Sequence, residues 1–277
     1  MTIDEVIAAS LNEDIGAGDH TTLSTVPKNH LGKAKLLVKE KGIIAGVDIA
    51  ARVFSAVDSS IKLEVFIQDG EEVKPGDIVF EVGGPSASLL TAERTVLNFM
   101  QRMSGIASQT RVLADRIKDL PTRILDTRKT TPLLRELEKM AVRIGGGENH
   151  RFGLYDMILI KDNHVDFAGG ISKAIISTSG YLKKNGLKLQ IEIETRNLKE
   201  VQEVLKTGGV DRIMLDNFDY PDLRKAVELI GNRFETEASG GITIETIREY
   251  AECGVDFVSI GALTHHISSL DLSLKAI

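Results

Sequence analysis

IEIETRNLKEVQEVLKTGGVDRIMLDN, residues 191 to 217, reads as a strand, a helix and a second strand. Each short apolar run in it is followed by polar residues, and the segment between the runs is amphipathic. The same style continues on both sides. The runs RIL, MILI, LQIEI, RIML, FETEA and FVSI occupy the chain from residue 123 to residue 260, with amphipathic segments between them. Glu194, Asp216, Ala238 and Ile260 end four of these runs at intervals of 22 residues. That interval holds one strand, one helix and two short loops, so four βα units stand in series. Their crossovers are right-handed in a parallel sheet, and functional residues collect where the strands end. Six strands can be counted, VRIGGGENHR has room for a seventh, and a full eight-stranded barrel is not reached.

The first ninety residues differ. KAKLLVKE, IKLEVFI and DIVFEV have the period of strands, separated by Gly and Pro turns, and residues 47 to 57 interrupt them as a helix. This is a small α+β domain. Residues 91 to 120, TAERTVLNFMQRMSGIASQTRVLADRIKDL, repeat their apolar positions at helical spacing and link it to the later units.

With 277 residues, 42% of them apolar, the chain can bury a sizeable core. No run approaches the length of a membrane span, and the acidic, amphipathic opening is unlike a signal peptide. The expected location is the cytoplasm, with no membrane partner. A formal net charge of −6 argues against nucleic acid as a partner. Cys253 is the single cysteine and reads as structural.

Charge is unevenly spread. Between Thr122 and Lys161 eight Arg or Lys face five acids, leaving +3 there and −9 elsewhere. The imbalance fits a compact site for a small, highly charged anion. At the mouth the strand ends would bring together Asp126, Arg128 and Lys129, then Lys161, then Glu194, Asp216 and Asn217. Ser239, Gly240 and Gly241 follow, and then Ser259, Ile260 and Gly261. Two Gly loops in succession suit a phosphate, because glycine lets an anion approach the backbone N–H groups. Glu194 and Asp216 are either helix caps or hard oxygen ligands for Mg²⁺ or sugar hydroxyls, and Glu192 faces the same side as a competitor of Glu194. Lys161 is either a Schiff-base nucleophile or a point charge for an anion, and the surrounding cations favour the second. Lys139 and Arg143 read as solvated helix residues. GGGENHR presents His150 and Arg151 on a flexible turn.

DTRKTTPLLRELEKMAVRIGGGENHRFGLYDMILIKDNH, with EDIGAGDHTT, ERTVLNFMQRMSGIA, IEIET, IMLDN, EASGGI and SIGALTH, strongly resembles the quinolinate phosphoribosyltransferase (nicotinate-nucleotide pyrophosphorylase) family, nearly end to end. The resemblance implies an N-terminal α/β sandwich, residues 1–104, on which a C-terminal tail of about 267–277 packs back. Residues 105–277 would form an incomplete, seven-stranded α/β barrel of the type II phosphoribosyltransferase kind. It implies transfer of a phosphoribosyl group from phosphoribosyl pyrophosphate to quinolinate, with loss of CO₂, in NAD biosynthesis. Arg128, Lys129, His150, Arg151 and Lys161 would line the quinolinate pocket, and Arg94 would reach in from the partner in a homodimer or an assembly of dimers. Glu194 and Asp216 would stand near Mg²⁺ and the ribose. Ser239 to Gly241 and Ser259 to Gly261 would lie near the 5′-phosphate, with Lys129 or Lys161 supplying the final proton.

Overall fold

The structure, a computed structural model, describes residues 1–277. Five strands come first: β1 (Leu31–Val38), β2 (Gly42–Ile43), β3 (Lys62–Val65), β4 (Glu72–Val73) and β5 (Ile78–Pro85). Six follow: β6 (Arg123–Leu125), β7 (Ile158–Ile160), β8 (Ile191–Thr195), β9 (Arg212–Asp216), β10 (Glu235–Ser239) and β11 (Phe257–Ser259). The last is β12 (Leu272–Ala276).

Two compact units arise, and each is built from several segments. The first comprises Met1–Arg111, Thr130–Gly146 and Leu263–Ile277, and the second Val112–Lys129 and Gly147–Ala262. In the first unit an antiparallel sheet runs in the order β12-β1-β5-β3. Ala34, Leu36 and Val38 of β1 are buried at every second position, as a strand with one covered face requires. The helix Val47–Val57 buries Ile49, Val53 and Phe54, and the Phe54 ring meets Phe80 of β5 edge to face at 6.1 Å. The long helix is Ser86–Arg116. Its mid-helix Gly105 is explained by a close approach, since a Cβ there would stand 2.1 Å from the carbonyl oxygen of Ser268 in the C-terminal tail.

The helix Arg135–Ile144 belongs to this first unit too. Arg102 holds it, with Nη2 donating to Glu138 at 2.6 Å, to Thr131 Oγ1 at 2.7 Å and to the Thr264 carbonyl at 3.1 Å. Glu138 is 1% exposed and Lys139 only 3%. The expectation that Lys139 is solvated is therefore corrected: the helix turns a face of Leu137, Glu138, Lys139, Ala141 and Val142 inward. Arg143 does face solvent. Arg102→Ala leaves Glu138 a buried carboxylate without this guanidinium, and a stability loss of about 3 kcal/mol in urea unfolding is the expected result.

The second unit is one parallel sheet in the order β6-β11-β10-β9-β8-β7. The seventh strand survives only as a parallel bridge between Leu125 and Glu148, inside VRIGGGENHR. Register fixes which side chains share the interior. Glu192 lies opposite Arg212, Glu237 opposite Met214 and Phe257, and Ser239 opposite Asp216. The interior side chains rise in tiers along each strand: Glu192 and Glu194 on β8; Arg212, Met214 and Asp216 on β9; Glu235, Glu237 and Ser239 on β10; Phe257 and Ser259 on β11. Glu194, Asp216 and Ser239 lie at the mouth. No helix is long and apolar enough to cross a membrane.

Candidate active site

Asp126, at the end of β6, is fully buried and organises the turn beside it. Its Oδ1 accepts the His150 backbone N–H at 2.9 Å and its Oδ2 accepts the Asn149 amide at 2.5 Å. His150 and Arg151 are therefore held by a carboxylate, although GGGENHR looks flexible as sequence. Arg128 follows on the same loop. Its Nε is buried and has no hydrogen-bond partner, a costly arrangement for a cation. Arg151 is half-buried, with Nη1 donating to the Met157 carbonyl at 3.3 Å. Burial, and then the charge of Arg128, lower its pKa from the ordinary guanidinium value. The two guanidiniums thus stand near enough for each to feel the other's charge, with a buried donor to spare. Lys129 is exposed, its backbone N–H donating to Thr127 Oγ1 at 3.1 Å.

Lys161 closes β7 with Nζ 4.0 Å from Glu194 Oε2. Glu194 is 8% exposed. Its pKa is raised, first by burial and then by the charge of Asp216, which ends the neighbouring strand. Asp216 Oδ2 accepts the Asn217 amide at 2.6 Å. Asn217 takes the left-handed conformation, φ 56°, and its backbone N–H donates to the Ser239 carbonyl. Gly240 has to be glycine here, because a Cβ would stand 2.2 Å from Asn217 Oδ1. Gly240 and Gly241 both have positive φ, so this loop brings bare backbone to the mouth.

Glu192 and Glu194 stand on the same side of β8, and the competition between them resolves by depth. Glu194 reaches the mouth; Glu192 lies a tier below and is wholly buried. The β11 loop requires correction. The Ser259 hydroxyl points inward and hydrogen-bonds Glu237, and the Ile260 backbone N–H is taken by the Leu125 carbonyl at 3.0 Å. Neither of those groups is offered to a phosphate, because the Ser259 side chain alternates into the interior and the Ile260 N–H is spent on the neighbouring strand β6. Gly261 remains half-buried at the rim. Arg94 lies exposed on the helix Ser86–Arg116 of the first unit.

Sequence reasoning missed Glu237 and Arg212. The signal was present, since each lies an even number of residues before a mouth residue of its strand, Ser239 and Asp216.

The C-terminal domain of quinolinate phosphoribosyl transferase matches residues 106–275, and its N-terminal domain residues 19–104. The chain belongs to the quinolinate phosphoribosyltransferase family. It is 48% identical, over 98% of its length and 81% of the relative's, to quinolinate phosphoribosyltransferase [decarboxylating] 1b of Nicotiana tabacum. It is 43% identical to a probable nicotinate-nucleotide pyrophosphorylase [carboxylating] of Synechocystis, covering 100% of this chain and 93% of that one. The crystal structure of NadC from Streptococcus pyogenes superimposes with a TM-score of 0.94 at 39% identity, covering 99% and 97% of the two chains. Family membership fits an anion pocket at one side of a phosphoribosyltransferase barrel mouth and a carboxylate pair at the other.

Proposed function

We propose that the chain joins quinolinate to the ribose of phosphoribosyl pyrophosphate, releasing pyrophosphate and CO₂ and forming nicotinate mononucleotide for NAD biosynthesis. The observation that carries this reading is the Arg128–Arg151 pair, half-buried at the mouth with Arg128 Nε buried and unpartnered. A flat diacid answers both needs. It neutralises two guanidiniums, and its carboxylates accept forked hydrogen bonds. His150 and Lys161 flank them, with Lys129 on the exposed side.

Attack by the pyridine nitrogen on the anomeric carbon expels pyrophosphate and leaves the ring nitrogen cationic. The adjacent carboxylate then departs as CO₂, its bonding pair staying on ring carbon beside that cation, and one proton completes the product. Lys129 and Lys161 are the ammonium groups available to give it. Glu194 and Asp216 are hard oxygen donors whose mutual repulsion a divalent cation relieves, and they would hold Mg²⁺ together with the donor's phosphates. Mg²⁺ bound there supplies Lewis-acid stabilisation of the leaving pyrophosphate. Ser239, Gly240 and Gly241, with Gly261, would face the 5′-phosphate. Assaying CO₂ and pyrophosphate release from quinolinate, with nicotinate as the control, tests the assignment. Quinolinate is expected to be turned over at least about 100-fold faster, since nicotinate leaves one guanidinium unanswered. Comparable rates would overturn it.

The same reading makes the working unit a homodimer in which Arg94 enters the partner's site. Leu154, Tyr155 and Phe167 support it, being 72%, 70% and 90% exposed near the open edge strand β7, an apolar surface that a second copy would cover. Arg94→Ala and Lys161→Ala chains, each inactive alone, are then mixed under subunit exchange. One site of each heterodimer carries both defects and the other neither, so about a quarter of wild-type activity should return. No recovery after demonstrated exchange, or full activity of Arg94→Ala alone, would show that Arg94 does not act in trans. A cytoplasmic location accompanies the proposal.

A further inference from the structure

Beneath the mouth lies a group of buried polar side chains, of which the proposed reaction involves only His150, at its upper edge. His150 Nε2 stands 2.8 Å from Glu192 Oε2 and 3.5 Å from Glu237 Oε2. Arg212 Nη1 donates to Glu237 at 3.2 Å from the tier below. Ser259 gives its hydroxyl to Glu237 from β11. Both oxygens of Glu192 and Glu237 Oε1 are buried without a well-aligned donor, and the two carboxyls lie within hydrogen-bonding reach of each other. On its other side the His150 ring accepts the Arg151 backbone N–H at Nδ1, 2.7 Å away.

These contacts bear on the chemistry of the ring. Nδ1 accepts a hydrogen bond and so carries no proton; the proton is on Nε2, the nitrogen that lies against the Glu192 and Glu237 carboxyls. We propose that Glu192 and Glu237 are positioning residues for acceptor binding: they set the tautomer and plane of His150, which in turn fixes the backbone of Arg151 and aims its guanidinium at the acceptor beside Arg128. This rests on the quinolinate reading of the mouth, and it makes His150 a support for Arg151.

The surroundings agree with a ring held from below. Burial, and then the charge of Glu192, push Glu237 up to about 8. Arg212 sets a guanidinium against Glu237 from the tier below, 3.2 Å away. The alternative of a metal ion on His150, Glu192 and Glu237 would set a second cation close to the Arg212 guanidinium, where repulsion opposes it.

Two measurements test the proposal. In the wild-type protein without substrate, ¹⁵N–¹H spectra of the His150 ring should show the neutral tautomer protonated at Nε2. An imidazolium, or a proton on Nδ1, would overturn it whatever substrate the enzyme uses. Glu237→Leu, which is close in volume but cannot hydrogen-bond, should then raise KM for quinolinate about 10-fold or more and leave KM for phosphoribosyl pyrophosphate within about 2-fold. Glu237→Gln, whose amide replaces the carboxylic acid, should bring the quinolinate KM back to within about 3-fold of wild type. Equal changes for both substrates, or no rescue by glutamine, would reduce the cluster to fold maintenance. Should Glu237→Leu fail to fold, the ring tautomer and the glutamine variant decide alone. Failure of wild type to turn over quinolinate would instead reject the reading of the mouth and leave the tautomer result standing.

Discussion

Arg128→Ala is expected to lower kcat/KM for quinolinate by about 1000-fold while making the protein slightly more stable. The loss follows from removing a guanidinium that answers a carboxylate with two charge-assisted hydrogen bonds, each worth about 1.5 to 3 kcal/mol. The stability gain follows from the free enzyme's own geometry. Arg128 keeps a buried Nε without a partner and depresses the guanidinium pKa of Arg151 beside it, so the empty pocket is under strain that substrate relieves. Arg128→Lys restores a charge without the fork and should recover little of the rate. Steady-state kinetics with thermal unfolding separates the two effects. A variant that loses stability and activity together would mean that Arg128 holds the loop in place and does not bind the acceptor.

The second large effect belongs to the other side of the mouth. Glu194→Gln and Asp216→Asn are each expected to cut kcat/KM for phosphoribosyl pyrophosphate by about 100-fold and to raise the Mg²⁺ requirement. Quinolinate affinity should change by less than about 3-fold, because the Arg128–Arg151 pair is left intact. Burial and the charge of Asp216 on the adjacent strand raise the pKa of Glu194, and a cation bound between the two carboxylates would relieve that repulsion. Calorimetry with each substrate in turn checks the partition. If either variant weakens quinolinate more than the donor, the division of the mouth into acceptor and donor halves is wrong.

Much of this site could be read from spacing alone. Strand ends recur every 22 residues from Glu194 to Ile260, and a regular βα repeat leaves its functional residues at those ends. Glu194 and Asp216 stand at two of those ends, and Lys161 and the Arg128 loop follow the earlier strands β7 and β6. Depth was harder to read. FETEA does not tell how deep Glu237 sits: Glu235, at the foot of the strand, is exposed and Glu237 is wholly buried, yet both alternate correctly for a strand and only the tier they occupy distinguishes them. The amphipathic helix Arg135–Ile144 posed a different problem. Its apolar stripe shows that it packs against something, but which unit receives it depends on Arg102, thirty-odd residues earlier, and no local pattern carries that information. The loop after β11 failed for a third reason, because a glycine after a strand looks the same whether the preceding N–H is free or spent on a neighbour's carbonyl.

The path of the chain between its two units sets limits on how the protein can be divided. It passes from one unit to the other at four points, after Arg111, Lys129, Gly146 and Ala262. No single cut therefore yields two foldable pieces. A break after residue 104 would leave Arg102 on one fragment and Glu138 on the other, splitting an ion pair whose carboxylate is buried. Fragments divided at that point are therefore expected to need each other in order to fold, whereas units strung like beads fold alone.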